Sequence, residues 1–280
     1  MTRVPLTLTI NGLRLDALRL GPHPAQTERP TLVLLHEGLG SVDQWKAFPE
    51  ALLEATGSPV VVYSRAGYGK SDPVPLPRPL TYMHDEARDV LPRVLDSVQA
   101  RQVILVGHSD GASIALIYAG FARDPRVAGI ALIAPHVFTE PLCLNSIAEA
   151  RDAYQQPDSP LRSGLARYHK HVDVAFRGWN DAWLDPGFVT WNLEGFVPGI
   201  RCPVMLMQGK QDQYGTAAQI TAIEQALPAT TPQQTVWLKD CRHSPHRDQP
   251  NAAVQAIYQF INSVANPPLP LAQQETSYHE

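Results

Sequence analysis

Residues 103 to 111, Val-Ile-Leu-Val-Gly-His-Ser-Asp-Gly, carry a β-branched apolar run into a serine with glycine two positions before it and two positions after it. The residues that follow, Ala112-Ser113-Ile114-Ala115-Leu116-Ile117-Tyr118-Ala119, have the small, apolar character of a buried helix. A strand, a sharp turn and a helix in so few residues leave Ser109 at the apex in a constrained backbone conformation. A Cβ at either glycine would crowd the strand or the helix. The hydroxyl is thereby pushed out of the sheet. The helix that follows aims its unpaired N–H groups and partial positive charge at the place where negative charge would develop on a substrate oxygen, which makes the Asp110 amide a candidate oxyanion donor.

Such a turn needs a sheet to carry it, and the chain supplies one. Thr31-Leu32-Val33-Leu34-Leu35, Val60-Val61-Val62-Tyr63, Val103-Ile104-Leu105-Val106, Ile130-Ala131-Leu132-Ile133 and Val204-Met205-Leu206-Met207 are continuous apolar runs of the kind found in strands covered on both faces. Helical patterns lie between them at 45–55, 81–99 and 111–122; a last strand follows at 235–238 and an amphipathic helix at 251–264. This alternation predicts an α/β fold, a doubly wound and mostly parallel sheet with helices on both faces. Residues 4–20 read as an antiparallel hairpin around Asn11-Gly12, a dipeptide that accepts the positive φ angles of a tight turn. Between Ala134 and Pro203 the strand rhythm fails, which predicts a mostly helical cap at 136–198 inserted into a core made of 1–135 and 199–265. The proline-bearing tail, 266–280, is expected to be unstructured.

With 280 residues, 44% of them hydrophobic, the chain can bury one large core. A net charge of −4 and the lack of a long basic run exclude a nucleic-acid footprint. Cys143, Cys202 and Cys241 are odd in number and widely spaced, so neither a disulfide framework nor a zinc site is indicated. The first ten residues alternate polar and apolar types, with no signal-peptide core, and no segment reaches the length of a membrane span. A soluble cytoplasmic protein with no membrane partner is expected.

A serine hydroxyl is a weak nucleophile, so it requires a histidine as general base and a carboxylate to orient that base. In doubly wound sheets such groups lie past the carboxyl ends of strands. Asp212 follows the run 204–207 and His243 follows 235–238, each at the required end. Asp240 is a rival to Asp212, but a loop that short would not aim its carboxylate at the imidazole. His246 is a rival to His243 and is read as a structural or rim residue. His36 and His108 flank the serine and are read as hydrogen-bonded within loops.

The order Ser109, Asp212, His243 accompanies this type of elbow, and with it the chain resembles the α/β-hydrolase superfamily up to about residue 264. His36-Glu37-Gly38-Leu39-Gly40 is similar to the family's His-Gly loop, Arg65-Ala66-Gly67-Tyr68-Gly69-Lys70-Ser71 to its Arg-x-Gly-x-Gly-x-Ser loop, and Gly209 to Asp212 to its Gly-x-x-Asp turn. His243-Ser244-Pro245-His246 resembles its closing His-x-Pro sequence. The resemblance implies a second oxyanion donor at the Gly38 or Leu39 amide. Glu37 departs from the family's glycine. A carboxylate there would oppose an oxyanion, so Glu37 is expected to point away or to pair with an arginine such as Arg65.

Phe176, Trp179, Trp183, Phe188, Trp191 and Phe196 concentrate aromatic surface in the insertion. Trp179, Trp183 and Trp191, with His36, are the candidate pocket residues, and part of this aromatic group must form the cap's own core. Arg151, Arg162, Arg167 and Arg177 could anchor a carboxylate, though surface placement suits most of them better. His169-Lys170-His171 lacks a third ligand and reads as a solvated helix face, so no metal is expected. No cofactor is expected either. The resemblance implies hydrolysis of a small, mainly apolar carboxylic ester or lactone through an acyl-enzyme, with a small molecule as substrate. Similar capped relatives include ring-cleavage-product hydrolases and the menaquinone-pathway lyase. Carbon–carbon cleavage of a vinylogous diketone is therefore an alternative, and a ligand receptor on the same scaffold is a third.

Overall fold

The chain threads one sheet of eight strands: β1 (Arg3–Ile10), β2 (Leu13–Leu20), β3 (Thr31–Leu35), β4 (Val60–Tyr63), β5 (Val103–His108), β6 (Val127–Ile133), β7 (Val204–Gly209) and β8 (Gln233–Leu238). The computed structural model describes residues 2–265, so the expected tail lies outside the described residues. Strand order is β1-β2-β4-β3-β5-β6-β7-β8, and from β4 onward all neighbours are parallel. β1 and β2 form the expected hairpin: Ile10 pairs with Leu13 across Asn11 and Gly12, whose φ angles are 52° and 80°.

Among the described residues ten α-helical segments connect the strands or flank them: α1 (Phe48–Thr56), α2 (Tyr82–Asp85), α3 (Leu91–Ser97), α4 (Asp110–Phe121), α5 (Pro141–Gln155), α6 (Pro160–Ala166), α7 (Val172–Trp183), α8 (Ala217–Ala226), α9 (Pro245–Asp248) and α10 (Pro250–Ala265). Alternate strand residues serve opposite cores. Val103 and Leu105 face a core shared with α3, α4 and α8, whereas Ile104 and Val106 face one closed by α1 and α10 through Leu52, Ile257 and Phe260. Helix α4 is buried all round from Asp110 to Tyr118, which matches its lack of a polar face.

The helical pattern expected at 81–99 is not one helix. A π-helical turn, Glu86–Val90, separates α2 from α3. Pro92 accounts for it: proline cannot donate to the carbonyl four residues back and its ring would clash there, so the ladder widens. The stretch between β6 and β7 is helical, holding α5, α6, α7 and 3-10 turns at Pro186–Thr190 and Glu194–Gly199. Among the described residues no helix is long and apolar enough to cross a membrane.

The register sets up the site. Leu35 lies beside Gly107, His108 beside Ile133, Ile133 beside Met207, and Gly209 beside Leu238. The loops after β3, β5, β6, β7 and β8 therefore leave the sheet at one end, with the β5 turn central.

Candidate active site

Ser109 has φ 52° and ψ −119°, a left-handed conformation that costs a non-glycine residue energy and persists only where its surroundings enforce it. Those surroundings are tight. A Cβ on Gly107 would stand 2.3 Å from the Gly111 carbonyl oxygen, and one on Gly111 would stand 2.0 Å from that of Leu35. The elbow can close only with glycine at both positions, as the sequence pattern requires.

Asp212 and His243 come together past the ends of β7 and β8. His243 Nδ1 lies 2.9 Å and 3.0 Å from the two Asp212 carboxylate oxygens. Asp212 Oδ1 also accepts from the Tyr214 amide at 2.8 Å and the Gly215 amide at 3.3 Å. Burial works against the charged carboxylate, but His243, its hydrogen bond and the Tyr214 N–H outweigh burial and hold Asp212 below its ordinary pKa. An acceptor at Nδ1 fixes that nitrogen as the N–H, so Nε2 is left as the basic nitrogen. His243 and Ser109 line one cavity of about 120 Å³. Asp240 is exposed and accepts from the Gln211 side chain at 3.5 Å, whereas the imidazole pairs with Asp212.

The loop after β3 and the elbow meet in that cavity: Gly38, Leu39 and Asp110 all line it. Two contacts hold the loop. Trp179 packs so closely that a Cβ on Gly38 would stand 2.2 Å from its indole. His169 Nδ1 accepts from the Gly69 amide at 3.0 Å, and its Nε2–H donates to the Leu39 carbonyl at 2.9 Å. His169 is thus buried between the two glycine-rich loops, and the expected solvated face is corrected: the residue lies between α6 and α7, where its ring is enclosed. Among the described residues no cluster of metal-ligating side chains occurs.

Glu37 also lines this cavity, and the partner of its carboxylate is not Arg65. Arg247 donates to its carboxylate at 3.1 Å, and His108 Nδ1 lies 3.5 Å from it. Burial opposes the charge, yet these neighbours hold Glu37 well below the usual range. Arg65 grips main chain instead, donating to the carbonyls of His36 and Glu37, with the Asp110 carboxylate 3.8 Å away. His108 Nε2 donates to the His243 carbonyl at 2.8 Å, tying the elbow strand to the loop that carries His243.

The expected pocket residues separate into two groups. Trp179 and Trp183 line the cavity. Trp191 stands behind them, stacked on Phe188 and 5.5 Å from Trp183, so it supports the wall without reaching the space. His36 is also corrected: fully buried, it donates from Nδ1 to the Glu37 carbonyl and accepts the Arg65 amide at Nε2, holding the loop from behind. His246 is buried among Trp45, Phe48 and His108 and is structural. Arg151, Arg162 and Arg177 pair with Asp152, Asp173 and Asp181 on the surface, Arg167 is exposed, and none of them lines the cavity.

Sequence reasoning missed His136, Cys143, Ile147 and Tyr214, which complete the wall. His136 follows the β6 run closely, so the rule that drew attention to Asp212 could have found it too. Cys143 and Ile147 are four apart on α5 and therefore share a face. A larger depression of about 520 Å³, lined by Gln208, Lys210, Thr216 and Trp237, touches Asp212 but neither Ser109 nor His243. The smaller cavity is the one that Ser109 and His243 line together.

Residues 32–257 match the alpha/beta hydrolase family. The chain belongs to this family. Epoxide hydrolase B of Mycobacterium tuberculosis is 31% identical over 132 residues, 46% of this chain and 35% of that protein. The chain spans about a third of the length of the curated relatives it matches. The enol-lactonase of Burkholderia xenovorans shares the fold at a TM-score of 0.69 and 18% identity, covering 92% of this chain and 100% of that one. The 2-hydroxy-6-oxo-6-phenylhexa-2,4-dienoate hydrolase of a Rhodococcus strain does so at 0.74 and 16%, covering 93% and 99%.

Proposed function

We propose that the protein is a serine hydrolase that cleaves a short-chain carboxylic ester or lactone through an acyl-enzyme. The observation that carries this reading is the His243–Asp212 pair at 2.9 Å, opening with Ser109 onto one cavity. His243 Nε2 takes the Ser109 proton as Oγ attacks the acyl carbon, and Asp212 stabilises the imidazolium. The amides of Asp110 and of Gly38 or Leu39 receive the oxyanion. His243 then returns the proton to the leaving oxygen. Water, activated by the same nitrogen, releases the acid.

The size of the space supports a short acyl group. At about 120 Å³ it is somewhat smaller than the ~150 Å³ apolar cavity that takes up benzene. Trp179, Trp183 and Ile147 give it apolar walls. A p-nitrophenyl ester series of rising chain length should show kcat/KM highest for acetate to butyrate and falling sharply beyond, with Ser109→Ala lowering kcat about 10³-fold or more. Inert esters beside a dienoic diketone that is cleaved would contradict the ester reading, and saturable binding without turnover of either would support a receptor.

A further inference from the structure

The wall of the cavity carries polar side-chain atoms that the catalytic scheme above does not use. His136 is 2% exposed, and its buried Nδ1 has no hydrogen-bond partner among the described residues. Its ring stands edge-on to Trp183 at 5.5 Å and 5.6 Å from the His243 ring. Burial, with His243 adding to it, pushes His136 down to about 3, so the ring is a neutral imidazole offering one donor and one acceptor. Asp110 is 1% exposed and is satisfied on one side only. Its Oδ2 accepts from Tyr82 at 2.6 Å, and the Tyr82 hydroxyl in turn accepts from the Trp183 indole at 3.0 Å, whereas Oδ1 has no partner among the described residues.

His136 and Asp110 therefore flank Trp183, and all three line the space that holds the acyl group. Buried polar atoms left unpaired are costly, and a site that contains them discriminates strongly between a ligand that pairs them and one that does not. The chemistry narrows the ligand. An ammonium would meet the Arg65 guanidinium, which already faces the Asp110 carboxylate at 3.8 Å and would repel a second cation. A second carboxylate would be repelled by Asp110. A hydroxyl both donates and accepts, so it can answer the carboxylate oxygen and either nitrogen of the ring.

We propose that His136 and Asp110 form a hydroxyl-recognition subsite, and that the substrate is an ester or lactone of a short hydroxy acid. This rests on the serine-hydrolase reading above and deepens it. The apolar wall of Trp179, Trp183 and Ile147 then holds the carbon chain, and the polar atoms beside Trp183 select its hydroxyl.

The test uses the full chain and matched phenyl esters: lactate against propionate and 3-hydroxybutyrate against butyrate, each corrected for its uncatalysed hydrolysis. In the wild type, at least one hydroxy ester should exceed its deoxy partner about tenfold or more in kcat/KM. His136→Phe keeps a ring against Trp183 and removes both nitrogens, and it should bring that ratio to within about threefold while a fluorophosphonate still labels Ser109. A wild-type enzyme that labels at Ser109 and hydrolyses both deoxy esters as well as their hydroxy partners overturns the subsite and leaves the hydrolase reading standing. So does a preference that survives in His136→Phe. Should that variant fail to fold, the wild-type ratios decide. Absence of Ser109 labelling in the wild type overturns the hydrolase reading itself, and the subsite with it.

Discussion

Asp212 exposes only 2% of its side chain, yet it keeps its charge because His243 and two backbone amides face it. Asp212→Asn would replace an obligate acceptor by a group that can also donate, and the imidazole would be held in the wrong tautomer. In a Ser-His-Asp triad that change costs about 10⁴-fold in kcat with the geometry intact, and esterase kinetics with a thermal melt would show whether activity falls while the fold stays. A loss of less than about tenfold would mean that Asp212 does not orient the base. Glu37 illustrates what sequence can and cannot give at this scale. Its departure from glycine and the need to direct its charge away are legible. Its partner is not, because Arg247 stands 210 residues further along the chain and only the fold brings the two together.

At the scale of elements, the strands and their order of appearance are readable because fully buried parallel strands must be continuously apolar, and β3, β4, β5 and β7 are buried at every position. The elbow is readable for a related reason: Gly111 can approach Leu35 so closely only without a side chain. Gly111→Ala is expected to yield insoluble protein or a melted elbow, and a soluble variant with wild-type ester kinetics would contradict that packing. Less legible is how the helical insertion engages the core. His169 looks like part of a polar run, yet it stitches the Gly69 amide to the Leu39 carbonyl, a contact that no local pattern announces. Removing it with His169→Ala leaves buried main-chain groups unpaired, at a cost of about 1–3 kcal/mol. The freed Leu39 loop should lower kcat more than it raises KM. Denaturant melts and ester kinetics would measure both effects, and an unchanged kcat would show that Trp179, His36 and Arg65 hold the loop without His169.

For the molecule as a whole, the buried histidines bear on pH. Burial lowers His36, His136, His169 and His246, so each stays neutral in the fold while the unfolded chain still takes up a proton near its ordinary value of about 6.5. The stability they leave intact above that pH is lost as the pH falls below it, at about 1.4 kcal/mol per pH unit for each such proton. Glu86 and Asp110, raised by burial, pull the other way in the lower part of the window. His246 isolates the effect, because it sits against Trp45 and Phe48 with neither nitrogen paired among the described residues and is faced by His108, Glu37, Arg247 and His243. His246→Phe should be at least as stable as the wild type at about pH 7.5 and gain a clear further advantage at about pH 5.5. An equal difference at the two pH values would contradict it. The central claim is also one of the whole chain, that β5, β7 and β8 bring residues 109, 212 and 243 into a single reactive site. Intact-mass analysis after treatment with a fluorophosphonate tests it directly. The wild type should gain one adduct per chain, Ser109→Ala none, and His243→Ala only a slow trace, whereas an unmodified wild type or an adduct that survives Ser109→Ala would contradict the account.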